Sequence, residues 1–192
     1  MEPDYEPLRA SVRAAAQTLA ALEEHLPAVA RIAAALAEAL RRGNKLLACG
    51  NGGSAAEAMH LTGEWVGRFV SDRRSYPAVA LVADGPLLTA IANDYGYDEA
   101  FARQISGLGV PGDVLIAFST SGNSECVLRA VQAAKEGGLI SVALLGRDGG
   151  RTRGVADHEI IVASSVTARI QEAHALLIHL LCEETERRLG VV

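Results

Sequence analysis

Aromatic side chains make up only 4% of the sequence, with one tryptophan in 192 residues. That scarcity argues against binding single-stranded nucleic acid on a platform of stacked bases. Positive charge is also short: 18 Lys and Arg stand against 23 Asp and Glu, a net charge of -5. The basic footprint of a polyanion binder is missing, although backbone donors can still hold a small anion whatever the global charge. No apolar run approaches the roughly 20 residues needed to span a bilayer. The opening MEPDYEPL is acidic, lacks an apolar stretch and reads as no signal peptide. The three cysteines, Cys49, Cys126 and Cys182, are far apart with no CxxC, which predicts reduced thiols rather than a disulfide framework. The expectation is a soluble cytoplasmic protein that binds neither nucleic acid nor membrane.

What the chain has is aliphatic mass, 49% hydrophobic and carried by Ala, Leu and Val, enough for one sizeable core. Residues from about 6 to 42 are Ala-rich and helical in period, with Pro27 breaking them into two segments and Gly43 closing the second. Each segment is apolar over much of its circumference, so it packs either on its own sheet or on something beyond its domain. From about residue 43 to 192, apolar runs at KLLACG, AVALVA, DVLIAFS, SVALLG and EIIVA alternate with helical runs. The helices are predicted from Ser54 to Phe69, Pro86 to about Ala92, Glu99 to Leu108, Ser124 to Glu136 and Thr167 to Leu189. That alternation predicts an α/β fold of one domain, a three-layer αβα sandwich with a five-stranded parallel sheet.

Two strand-to-helix junctions carry polar loops. STSGNS, Ser119 to Ser124, puts four hydroxyls and a glycine in front of a helix N-terminus, where unpaired N–H groups and the positive dipole end favour an anion. The alternative is that Asn123 or Ser124 caps the helix while the other hydroxyls face water. GNGGSAA, Gly50 to Ala56, lacks the Lys of a Walker loop. Asn51 and Ser54 offer polar contacts there, or Ser54 simply caps the helix. Both loops lie at the carboxyl ends of parallel strands, where open α/β sheets bind ligands.

The helix after the first loop places His60 and Glu64 on one face, four residues apart, a spacing that suits either a surface hydrogen bond or a divalent metal. Gln171, His174 and His179 punctuate the strongly apolar last helix. Gln171 and His179 are roughly 80° apart around an ideal helix and ~12 Å along it, so they meet one centre only by leaning together. Asn93 and Asp94 interrupt a helical pattern before Tyr95-Gly96, to cap the next segment or to reach a polyol.

Together GNGGSAAEAMHLTGE, LTAIANDYGYDEAFARQ, STSGNS and TARIQEAH…IH resemble the sugar isomerase (SIS) family over about Leu8 to Leu189, and within it the phosphoheptose isomerases. Those enzymes interconvert sedoheptulose 7-phosphate and D-glycero-D-manno-heptose 7-phosphate. The resemblance implies that Ser119, Thr120, Ser121 and Ser124 hold the sugar phosphate. It implies substrate contacts from Asn51, Gly52, Gly53, Ser54, Asn93, Asp94 and Gln171. It also implies zinc on His60, Glu64, Gln171 and His179, and a homotetramer with active sites at subunit interfaces. Glu64 is then the base for the carbon proton, and also touches substrate, while His179 is the acid–base group at oxygen. Two other readings share this pattern: a non-catalytic SIS scaffold that binds a protein such as the replication initiator, and an isomerase for another phosphosugar. The presence of both Glu64 and His179 points to the enzyme.

Overall fold

The computed structural model describes residues 4–191, so the first three residues and the last of the expected 1–192 unit lie outside the described residues. Two helices, α1 (Glu6–Ala20) and α2 (Leu26–Arg41), lead into β1 (Leu46–Cys49), α3 (Gly53–Val66), β2 (Ala78–Ala80), α4 (Gly85–Tyr95) and α5 (Ala102–Leu108). β3 (Val114–Ser119), α6 (Glu125–Glu136), β4 (Ile140–Gly146), β5 (His158–Val162) and α7 (Thr167–Leu189) complete the chain. All five strands are parallel, in the order β2-β1-β3-β4-β5.

Alternation along the strands builds the two flanking layers. Leu46, Ala48, Val114 and Ile116 face a core shared with α2, α3 and α7, while Leu47, Cys49, Leu115 and Ala117 face one shared with Phe101, Ile105 and α6. The internal strands β1 and β3 are buried along their whole length. This is the expected three-layer sandwich. All three cysteines are free and buried. Burial raises the Cys49 thiol well above its ordinary range and pushes Cys182 up to about 12, so neither is a reactive thiolate at neutral pH.

Three local expectations change. The AVALVA run makes only a short, half-buried edge strand, because Ala83 N–H turns back to Ala80 O and Asp84 then caps α4 through Leu87 N–H at 2.9 Å. The first two helices part before Pro27: Ala21–His25 forms a 3-10 turn, and Pro27 sits in the first turn of α2, where its missing N–H costs nothing. α4 runs through Asn93 and Asp94 to Tyr95 before Gly96 ends it at φ +88°.

The amino ends of the strands are fastened by two carboxylates, Asp113 and Asp157. Asp113, fully buried, accepts from Lys45 N–H at 3.0 Å, from Lys45 Nζ at 2.5 Å and from Val110 N–H at 2.9 Å, tying the start of β1 to that of β3. Asp157 accepts from both the backbone N–H and the hydroxyl of Ser141, tying β4 to β5. The carboxyl ends are thereby left to the loops.

Candidate active site

Strand order reverses direction between β1 and β3, and both polar loops emerge there, at the switch point where such sheets open a crevice. Asn51 spans that crevice. Its Oδ1 accepts from Tyr97 Oη at 2.8 Å, and its Nδ2 donates to Cys126 Sγ, in the first turn of α6, at 3.2 Å. Burial raises the Tyr97 hydroxyl above its ordinary pKa, with the Cys126 thiol acting in the same direction. Burial also raises Cys126, against the lowering effect of the Asn51 amide. Both therefore stay protonated at neutral pH and act as hydrogen-bonding groups.

The STSGNS loop is folded upon itself and braced from outside. Ser119 Oγ accepts from Gly122 N–H at 3.0 Å, and Ser121 Oγ accepts from Asn123 N–H at 3.1 Å. Thr152, buried in the loop after β4, donates through its hydroxyl and backbone N–H to Gly122 O at 2.8 and 2.9 Å. Gly122 has φ +64°, and a Cβ there would lie 1.9 Å from Gly149 O, so the two loops meet at a contact only glycine permits. Ser124 stands at the N-cap of α6 without a side-chain capping bond. Its hydroxyl, like that of the half-buried Thr120, has no protein hydrogen-bond partner among the described residues. The capping alternative for Ser124 is not the arrangement found.

Ser54 does not cap α3 either. Gly52 takes that position, and Ser54 is buried in the first turn with its N–H on Asn51 O. Gln171, reaching from α7, lies directly over Gly53: a Cβ on that glycine would fall 1.9 Å from Gln171 Nε2. The first loop and the last helix are thus in contact.

Further along the same two helices, His60, Glu64 and His179 come together. His60 Nε2 lies 3.4 Å from His179 Nε2 and 3.4 Å from Glu64 Oε1. The two imidazoles meet edge to face at 5.1 Å, and Phe69 covers His179 from another side at 5.7 Å. Among the described residues no three His, Cys, Asp or Glu side chains are arranged to enclose a metal as they stand. Yet both 3.4 Å separations equal the edge of a tetrahedron with bonds of about 2.1 Å, the length of zinc–nitrogen and zinc–carboxylate bonds. Imidazole, imidazole and carboxylate are also donors that suit zinc. Gln171, the fourth member of the expected ligand set, lies over Gly53 and makes no hydrogen bond to His60, Glu64 or His179 among the described residues. Asn93 and Asp94 are exposed in the last turn of α4, where Asn93 Nδ2 donates to Asp94 Oδ1 at 2.8 Å, and neither caps the next segment.

A second set of residues had no sequence motif to reveal it. The side chain of Arg73, only 5% exposed, pairs with buried Glu186 of α7 at 2.5 Å and donates to Glu64 O at 2.9 Å and Trp65 O at 3.1 Å. Its guanidinium also stacks 3.9 Å above the Tyr76 ring. This single side chain satisfies the last carbonyls of α3 and holds that end of the helix against α7. Glu57 and His174 form a further buried pair between the same helices. Glu57 stands three residues before His60 and His174 three after Gln171, a shared-face relation that the surrounding apolar residues obscure.

The SIS domain family matches residues 11–146. The chain belongs to the SIS domain family. It is 48% identical over 185 residues to the phosphoheptose isomerase of Geobacter sp. (strain M21), covering 96% of each chain. The phosphoheptose isomerase GmhA from Neisseria gonorrhoeae superposes with a TM-score of 0.88 at 40% identity, over 95% of this chain and 98% of that one. A phosphoheptose isomerase from Francisella tularensis gives 0.92 at 34% identity, over 97% and 100%. The SIS fold thus accounts for the sheet order, the loops at its switch point and the leading helices together.

Proposed function

We propose that this chain is a phosphoheptose isomerase, interconverting sedoheptulose 7-phosphate and D-glycero-D-manno-heptose 7-phosphate through a cis-enediol, an early step in making heptose precursors. The observation that carries the reading is His60 Nε2 lying 3.4 Å from both the Glu64 carboxylate and the His179 ring, which brings an acid–base pair from two helices into one cluster. Extensive identity to phosphoheptose isomerases supports the same substrate.

The Ser119–Ser124 loop holds the phosphate against the α6 N-terminus, so binding energy spent far from the reacting carbons orients them for proton transfer. Asn51, Gly52, Gly53, Ser54, Gln171, Asn93 and Asp94 line the sugar chain in this reading. Glu64 takes the proton from the carbon next to the carbonyl and returns it to the neighbouring carbon. His179 moves the proton between the two oxygens. Zinc held by His60, Glu64, Gln171 and His179 would supply a Lewis acid that polarises the carbonyl. Ligation and base catalysis would compete for one carboxylate, so either Glu64 would leave the metal to act as base or the metal is not used in this way. A homotetramer is supported by α1, which buries no residue within the chain and leaves Leu8 65% and Val12 70% exposed.

Aldose formation from sedoheptulose 7-phosphate, followed by NMR with added zinc and after chelation, tests this. Turnover is expected, and its loss on chelation would assign the metal. A folded protein inactive under both conditions would move the reading to another phosphosugar or to a protein-binding scaffold.

A further inference from the structure

Glu57 and His174 meet in the interior below the substrate loops. His174 is fully buried, and the Glu57 side chain is nine-tenths buried. His174 Nε2 lies 3.3 Å from Leu145 O, on the β4 residue that pairs with Ser119 where the STSGNS loop begins. His174 Nδ1 lies 3.4 Å from Glu57 Oε2. Apart from that approach, neither Glu57 oxygen nor His174 Nδ1 has a hydrogen-bonding partner among the described residues. The elements packed around the pair bring the Phe118 ring from β3 and the Leu145 carbonyl from β4, and no Lys or Arg forms an ion pair with Glu57 among the described residues.

These contacts set the number of protons. A carbonyl oxygen can only accept, so Nε2 carries a hydrogen. In a neutral ring Nδ1 is then a bare acceptor, and an ionised carboxylate is also acceptor-only. Two acceptors facing one another, one of them a buried unpaired charge, make an unfavourable arrangement. One additional proton removes the conflict, either on Nδ1 beside the carboxylate or on Oε2 as a donor to Nδ1. Both forms are neutral overall.

We propose that Glu57 and His174 hold one shared proton as a net-neutral buried pair, and that this pair is a positioning element that sets α3 against α7. On α3, Ser54 precedes Glu57 while His60 and Glu64 follow it; on α7, Gln171 precedes His174 while His179 follows. A shift at the pair therefore moves both the first loop and the acid–base cluster. The positioning role rests on the isomerase reading, whereas the shared proton does not.

Two measurements test it. Histidine ¹⁵N NMR of the wild-type chain should show His174 with hydrogen on Nε2 and an Nδ1 that is either protonated or strongly hydrogen-bonded. Glu57→Leu should turn that ring into a neutral one with a bare Nδ1. A bare, unbonded Nδ1 in wild type, or a signal unchanged in Glu57→Leu, overturns the shared proton. For positioning, Glu57→Gln offers Nδ1 an amide donor of the same size and should hold the loss in kcat/KM to about tenfold or less, whereas Glu57→Leu should lose about 100-fold. Equal losses in both variants, at equal thermal stability, would overturn the positioning role. The NMR result stands by itself if Glu57→Leu fails to fold or if the substrate proves to be a different one.

Discussion

Glu64→Gln keeps the size of the side chain and removes its capacity to accept a proton. Turnover should fall by about 10²–10⁴-fold, while thermal stability and affinity for inorganic phosphate stay near wild type. Activity undiminished in that variant would remove Glu64 from its role. Ser121→Leu acts on the other half of the site. It replaces the hydroxyl that accepts from Asn123 N–H with a branched chain in the loop, and should raise KM far more than it lowers kcat in steady-state kinetics. The STSGNS loop was legible because its composition is local: hydroxyls, a glycine and an amide crowd one strand-to-helix junction. Gln171 was harder to place. Its position over Gly53 depends on how α7 crosses α3, and helical spacing within α7 holds no information on that crossing. Glu57 and His174 were hidden for the opposite reason, since each sits on an apolar face where a charged or imidazole group is ordinarily a packing residue.

At the scale of elements, the strands and the five later helices could be read from apolar runs and turn residues. The errors fell at ends, where tertiary contacts decide. β2 stops after Ala80 because the Ala83–Ala80 turn and the Asp84 cap begin the next helix, and no run of Val and Ala encodes that competition. The pairing of Arg73 with Glu186 links positions 113 residues apart, beyond any pattern in a local window. Arg73→Ala should destabilise the fold by about 3–5 kcal/mol, because it leaves Glu186 buried without a counter-charge and frees the last carbonyls of α3. Denaturant unfolding measures that loss. Arg73→Lys should recover only part of it, since an ammonium cannot reach Glu186 and the α3 carbonyls with one planar fork.

For the whole molecule, stability should depend on pH on the acid side. Burial alone would raise the Asp113 carboxyl, but the backbone and side-chain hydrogen bonds of Lys45, with Val110 and Asn44, outweigh it and hold the pKa below its ordinary value. Asp157 is lowered in the same way, its burial overcome by the Ser141 bonds. A folded-state pKa below the unfolded one gives stabilisation that is fully present above the unfolded value, about 4 for aspartate, and lost as pH falls through the folded value. Thermal unfolding should therefore be steady from neutral pH to about 5 and drop below about 4. Asp113→Asn should be less stable than wild type at neutral pH, with the difference shrinking in acid; a difference that stayed constant would show that the carboxylate is not the source. The sheet anchored by these carboxylates keeps its amino end closed and presents both loops at the other, which makes the site a consequence of the topology.

The chemistry proposed for that end of the sheet passes through an enediol. Incubation of the chain with sedoheptulose 7-phosphate in deuterated water, followed by NMR, reads it most directly. The expected result is conversion to the aldose with solvent deuterium entering at C1 of the ketose and C2 of the aldose, both absent with Glu64→Gln. A folded wild-type protein that neither converts the sugar nor exchanges its carbon-bound hydrogen, with zinc supplied, would contradict the account.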